Sequence, residues 1–370
     1  MAAILNYLQW RGDIPFSCKP MNDVDSYIIS KIGTIDWSGI VPEDAVGISL
    51  ADAVKSYIAK GGTDYLGLVA SRQIYPVVIS LPETQRFGSL ELTMYTRKTS
   101  LERTEQFSAL TVGLPNGDRY ISFRGTDDTL VGWKEDCLFA VENEVSAQRN
   151  AVEYLEKAAE AFSGKLVVGG HSKGGNLAVY AAANVPTEIQ NRIEIVYDFD
   201  GPGFEKDFFL KAGYLNIRDK IRKIYAKNAM VGTLMHNCAN VTVVDCSSIG
   251  IAAHDGFTWE TGPNGFIPYP ELTPAAKAFN EAMDKLLQDM TTEKRKEFIE
   301  ALFDSLAASG AETLTGLTEQ GIRKSISMVR TLNKDPAVHH MVSGLLELMT
   351  REYISEKVKG IKNRIGSLDI

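Results

Sequence analysis

The sequence predicts an α/β fold: a mostly parallel sheet with helices on both faces. Three observations carry this. Short β-rich runs alternate with helical stretches from residue 105 to about residue 245. Within 165–180 a continuous apolar run, Leu166-Val167-Val168, passes through glycines into a helical stretch from Asn176 to Ala183. On either side of this region the pattern is helical. Strands that alternate with helices build a parallel sheet covered on both faces. The sheet should occupy about residues 65–270, with an N-terminal helical cover and a C-terminal helical extension. The expected domains are 1–270 and 271–370.

The first hundred residues read as mixed and mostly helical. Ile4, Leu5 and Leu8 make a short apolar face ahead of Trp10-Arg11-Gly12-Asp13. Ser49, with Asp52, suits the N-cap of a helix over 50–59 that Gly61-Gly62 ends. Residues 107–112 and 119–123 are β-rich and flank Pro115-Asn116-Gly117-Asp118. Asn-Gly between two such runs signals a hairpin. A long helix over 144–162 follows, with Val152, Leu155, Ala159 and Phe162 on one face. After the glycine turn come strands at 193–199, 221–226 and 241–245, with a helical segment at 204–212. Thr273-Pro274 opens the helical remainder. There Phe279, Met283, Leu286 and Met290 form one stripe, and Phe298, Leu302 and Leu306 another. Asp335-Pro336 opens a further helix.

Composition narrows the function. The chain has 370 residues, 44% of them hydrophobic, an ordinary globular content. Its net charge of −8, from 39 basic and 47 acidic residues, disfavours nucleic acid as the main partner. Four scattered cysteines, Cys18, Cys137, Cys238 and Cys246, form no Cys-x-x-Cys pair and read as free thiols in a reducing compartment. The N-terminus lacks the basic start and apolar core of a secretory signal. No apolar run approaches the ~18 residues of a membrane span. The expected location is cytoplasmic.

The chemistry centres on Gly170-His171-Ser172-Lys173-Gly174, which fits the Gly-x-Ser-x-Gly nucleophile elbow. A serine thrust out at a strand-to-helix corner takes a strained backbone, tolerable only where its neighbours two residues away are tiny. The helix that follows aims its positive end at the serine. A serine nucleophile needs a base, and the base an orienting acid. Of the five histidines, His254 follows the last predicted strand, giving the chain order serine, acid, histidine. His236 is second. His171 should point away from the serine, and His339 and His340 lie in the C-terminal helical stretch. The acid is a choice among Asp200 and Asn228, just past predicted strand ends where ligands of such sheets bind, and Asp245, which closes the strand leading toward His254. Asp200, after the strand next to the nucleophile strand, is preferred. Asp245 is second, and Asn228 would serve without charge.

At these residues the sequence resembles a known group. Phe123-Arg-Gly-Thr126, then Trp133 and Asp136, then Gly-His-Ser-Lys-Gly-Gly resemble the class 3 lipase branch of the α/β-hydrolase fold. Trp10-Arg-Gly-Asp13 and His254-Asp-Gly-Phe-Thr-Trp259 resemble, more closely, a bacterial family of class-3-lipase-like proteins. The likeness covers about residues 1–260. It implies Ser172 as nucleophile, His254 as base and Thr126 as an oxyanion donor; the second donor is the backbone N–H of Lys173. Class 3 lipases carry their acid in an Asn-Asp-Ile-Val-like motif, where this chain has Asn228-Ala229-Met230-Val231 and no carboxylate. The run from Asp200 to Phe204 looks instead like the acid turn of pancreatic-type lipases.

The expected function is a serine hydrolase acting on a small or lipid-like carboxylic ester, with no cofactor and no metal. An acyltransferase and a non-catalytic lipase-like scaffold are the alternatives. Residues 127–140, with Leu130, Val131, Trp133, Leu138 and Phe139, would form either a lid over the site or a packed crossover helix. The C-terminal stripe of Ile354, Val358, Ile361 and Ile365, beside Lys357, Lys359, Lys362 and Arg364, suits packing on neighbouring helices or a second subunit. Weak adhesion to an anionic membrane is its sharper reading.

Overall fold

The structure is a computed structural model and describes residues 4–62, 71–237, 240–288, 290–307, 310 and 312–313. It is a mixed α/β fold built on an eight-stranded sheet whose strands lie side by side in chain order. These are β1 (Ile48–Ser49), β2 (Glu91–Ser100), β3 (Glu105–Gly113), β4 (Arg119–Phe123), β5 (Leu166–His171), β6 (Ile193–Phe199), β7 (Ile221–Ala226) and β8 (Val241–Val244). Pairings from β1 to β4 are antiparallel, and those from β4 to β8 are parallel. The parallel half holds the apolar runs that the sequence shows as nearly continuous, as expected of strands buried on both faces.

Helices α1 (Ile4–Arg11), α2 (Asp23–Ile32), α3 (Leu50–Ala59) and α4 (Ile74–Ser80) form the N-terminal cover. They share one buried core with Leu110, Val112, Tyr120, Val167, Tyr197, Phe199 and Ile224 of the sheet. The opposite face receives α5 (Leu130–Leu138), α6 (Ser146–Ala161) and α7 (Lys173–Asn184). There Tyr154 of α6 packs on Phe107 and Phe123 and shares a hydrogen bond with Thr111. Each fully buried side chain of this size adds about 1.5–3 kcal/mol. Alternation along β3 thus splits Leu110 and Val112 from Phe107 and Thr111, one set to each layer.

The N-terminal motif is structural. Buried Arg86 pairs with Asp25 of α2 at 2.5 and 2.7 Å and donates to the carbonyls of Ile14, Lys19 and Pro20. Its own N–H donates to the Gly12 carbonyl, and Tyr7 also donates to Asp25. The segment after Trp10-Arg-Gly-Asp13 is thereby fastened to the cover.

Ser49 accepts from the Asp52 N–H, and the hairpin turns at Gly117 with φ +89°, as the sequence predicts. The stretch expected to be mostly helical holds two strands of the sheet, the short β1 and the long β2. In β2 the departure has a physical reason. A register shift between Thr93 and Thr96, with Met94 at φ +55°, breaks its alternation, and its second half is polar and exposed. Helix α7 starts at Lys173 rather than Asn176, because Gly174 and Gly175 are inside it. The segment expected to be helical at 204–212 divides into a 3-10 turn, Lys206–Leu210, and α9 (Ala212–Ile217), with α8 (Thr187–Arg192) preceding β6. Pro274 opens α10 (Pro274–Gln288), whose Ala276 N–H donates to Thr273.

The chain divides into two compact units, one ending at Met290 and one beginning at Thr291. In the second, α11 (Thr292–Ala307) buries Ile299, Leu302, Phe303 and Leu306. The side chains of Leu286 and Phe298, residues Cys238, His339 and His340, the helix expected from Asp335-Pro336 and the stripe from Ile354 to Ile365 lie outside the described residues. No described helix is long and apolar enough to cross a membrane.

Candidate active site

Four loops leave the sheet along one edge: after β4 (Thr126), after β5 (Ser172), after β6 (Asp200) and, beyond β8, at His254. The first three follow C-terminal strand ends directly.

Ser172 has φ +59° and ψ −130°, a conformation that side-chain-bearing residues rarely adopt. Strain of this kind costs about 1–3 kcal/mol and persists only where the surroundings impose it. Here the Ser172 N–H donates to the Phe199 carbonyl at 2.9 Å, and its carbonyl accepts from Gly175 at 2.9 Å. The motif glycines make the approach possible. A Cβ on Gly170 would stand 2.4 Å from the Gly174 carbonyl, and one on Gly174 2.1 Å from the Phe123 oxygen. A Cβ on Gly125 would stand 2.7 Å from the His171 oxygen. The Gly of Phe-Arg-Gly-Thr therefore lets the end of β4 lie directly on the elbow, which is why the two motifs belong together.

Asp200 is fully buried at φ +52°. Its Oδ2 is 2.6 Å from His254 Nδ1, and its Oδ1 accepts from the Gly232 N–H at 2.9 Å. The other candidates are engaged elsewhere. Asp245 pairs with Lys227 at 2.6 Å and accepts from the Cys246 N–H. Asn228 donates to the Ser248 carbonyl and accepts from Thr273. Asp198 pairs with Lys223 at 2.7 Å and accepts from Gly201; burial nevertheless raises its pKa. Half-buried Ser172 makes no side-chain hydrogen bond to a described residue. Serine–histidine contacts commonly close only in the complex with substrate.

His254 ends a 3-10 turn, Gly250–His254. The motif that follows it is a clamp. Trp259 Nε1 donates to the Ala253 carbonyl at 2.9 Å, and Asp255 caps the Phe257 N–H at 3.1 Å. Tyr27 of α2 packs against Phe257 and Trp259, and only glycine fits at 256, where a Cβ would be 2.4 Å from the Tyr27 ring. His171 also reaches this loop: its ring lies 4.5 Å from that of His254, and its Nε2–H donates to the His254 carbonyl at 2.7 Å. Nothing in the spacing of the sequence marks that contact.

On the other side of the elbow, the backbone N–H groups of Thr126 and Lys173 have no hydrogen-bond partner among the described residues. The Thr126 hydroxyl donates to the Asp136 carboxylate. Burial pushes the Asp136 carboxyl up to about 6, against the pull of nearby Lys173 and the Thr126 bond. Lys173 Nζ is fully buried, 2.6 Å from Glu135 and 2.9 Å from the Gln106 carbonyl. Glu135 accepts in addition from the N–H groups of Gln106 and Ala147. These bonds pin α5 to the elbow, and Leu130, Val131, Leu138 and Phe139 are buried. Within 127–140, α5 is thus packed, as the crossover-helix expectation has it.

The sequence profile of the Mbeg1-like family matches residues 81–304, more than half of the chain. The chain belongs to the Mbeg1-like family. This is a lipase class 3-like family, and the matched region contains Thr126, Ser172, Asp200 and His254. No curated protein matches the chain. For this Mbeg1-like protein, lipase-like character is thus established at the level of the family. The edge of its sheet holds a strained serine, a histidine paired with a buried carboxylate, and the unengaged N–H groups of Thr126 and Lys173.

Proposed function

We propose that this Mbeg1-like protein is a serine hydrolase with the α/β-hydrolase fold, cleaving a carboxylic ester through an acyl-enzyme on Ser172. The observation that carries the reading is the 2.6 Å contact between His254 Nδ1 and the fully buried Asp200, on the sheet edge that also presents Ser172.

In the proposed reaction, Ser172 Oγ bonds to the ester carbonyl carbon while its proton passes to His254 Nε2. Asp200 stabilises the imidazolium and holds the tautomer that leaves Nε2 free to accept. The oxyanion receives hydrogen bonds from the N–H groups of Thr126 and Lys173. Asp136 takes the Thr126 hydroxyl, so the backbone of that residue is the donor offered. The C–O bond then breaks, His254 protonates the departing alkoxide, and water repeats the sequence on the acyl-enzyme. Acyl transfer would differ only in the acceptor, and a scaffold would need none of this machinery.

A fluorophosphonate probe on the purified protein tests the reading. Wild type should label and turn over short p-nitrophenyl esters, and Ser172→Ala should do neither. Equal labelling of both proteins defeats it. Turnover that depends on an added alcohol acceptor moves the assignment to acyl transfer.

A further inference from the structure

His171 stands immediately before Ser172, at the end of β5. Successive strand side chains point to opposite faces, so the imidazole leaves the serine and enters the layer beneath α2. There it meets Tyr27 edge-on at 5.7 Å and lies against the His254 ring at 4.5 Å, tilted by 37°. Its Nε2 is 2.7 Å from the His254 carbonyl oxygen. A carbonyl only accepts, so His171 Nε2 carries the proton. The residue thus touches His254 twice, by one face of the ring and by the main chain. Asp200 holds the same residue at Nδ1.

We infer that His171 is a positioning residue for His254, fixing its main chain and one ring face so that the imidazole keeps the orientation its bond to Asp200 requires. The catalytic consequence rests on the serine-hydrolase reading; the structural coupling does not. The charge state of His171 suits the role. Burial, with Lys31 and His254 adding to it, holds its pKa well below the ordinary value, so the ring stays neutral. Around the histidine pair stand Lys31 and Tyr27 of α2, Asp255 of the following turn and Asp200. A cation at His171 would sit beside the ring that must itself become cationic during attack, and like charges oppose that step. A neutral donor steadies His254 without that penalty.

Three substitutions separate the hydrogen bond from the ring. Gln at 171 carries an amide nitrogen near the position of Nε2; Asn has the same chemistry but falls short; Phe keeps the ring and loses the donor. The readouts are kcat and KM on a short p-nitrophenyl ester, and the His254 Nδ1–H resonance in the full chain labelled with nitrogen-15 histidine. His171→Asn and His171→Phe should lose on the order of 10²-fold in kcat, the scale of a misplaced catalytic group, with KM little changed and the resonance broadened. His171→Gln should keep kcat within about tenfold of wild type and keep the resonance sharp. The comparison of Gln with Asn decides the matter even if the Phe variant does not fold. Equal losses in Gln and Asn, or wild-type kcat and an unchanged resonance in Asn, would overturn the inference. If wild type turns over no ester, that result counts against the Ser172 reading, and the resonance alone then decides whether His171 positions His254.

Discussion

Replacing Asp200 by Asn is the most direct test of the site, because the structure says what the amide would have to do. The carboxylate is fully buried and serves two donors, the Gly232 N–H at 2.9 Å and His254 Nδ1 at 2.6 Å. Asn has the same size and tolerates the positive φ of +52° better than most residues. It brings only one acceptor to two donors. If its oxygen stays on Gly232, its NH2 faces His254 Nδ1, and the ring shifts to the tautomer whose Nε2 carries hydrogen and cannot take the serine proton. If the oxygen turns to His254, the NH2 meets the Gly232 N–H, and a buried donor goes unpaired at about 1–3 kcal/mol. The favoured flip is therefore the inactive one. We expect kcat to fall by on the order of 10⁴, about 5.4 kcal/mol of transition-state stabilisation. The fold should survive. Initial rates on a p-nitrophenyl ester, beside circular dichroism and thermal melting, measure both effects. A folded Asp200→Asn enzyme within about tenfold of wild type would refute the assignment of the acid.

Asp245→Asn should change kcat by less than about threefold, since its carboxylate serves Lys227 at a partly exposed position; a loss as large as that of Asp200→Asn would reverse the choice. Glu135→Gln should destabilise the protein by about 1–3 kcal/mol in urea unfolding, because it leaves the buried Lys173 charge with only the more distant Asp136 carboxylate at 3.6 Å, and Glu135→Gln with Lys173→Met should recover much of that loss. The Asp136 carboxyl, raised by burial from 3.8 to about 6, holds its proton in the folded chain where the unfolded chain has released it. Its contribution to stability is therefore fully present below about pH 4 and falls as pH rises through about 6, and the melting curve of Asp136→Asn against pH should lack that decline.

The sequence made the elbow legible because sterics leave little choice there: where a Cβ would stand 2.1 to 2.7 Å from backbone, only glycine fits. The parallel strands were legible from their apolar runs. The acid was narrowed but not chosen, because Asp200, Asp245 and Asn228 all follow strand ends. What separates them is partnership at a distance: Lys227 engages Asp245, Ser248 and Thr273 engage Asn228, and His254 lies 54 residues from Asp200. The fate of residues 127–140 was open for the same reason, since Glu135 meets Lys173 across 38 residues. The strand β2 was hidden by its bulge, and His171 by a contact 83 residues away.

Ser172 and Asp200, at the ends of adjacent strands, both hold positive φ. Glycine would occupy either position without that strain, so each side chain is kept against a standing local penalty of about 1–3 kcal/mol. Released from the chemistry, position 172 would gain stability by drifting to glycine, whereas at position 200 the same change would strand the buried Gly232 N–H that Asp200 now accepts. On the proposed reading Ser172 is kept for its hydroxyl, so Ser172→Gly should raise the melting temperature while abolishing turnover.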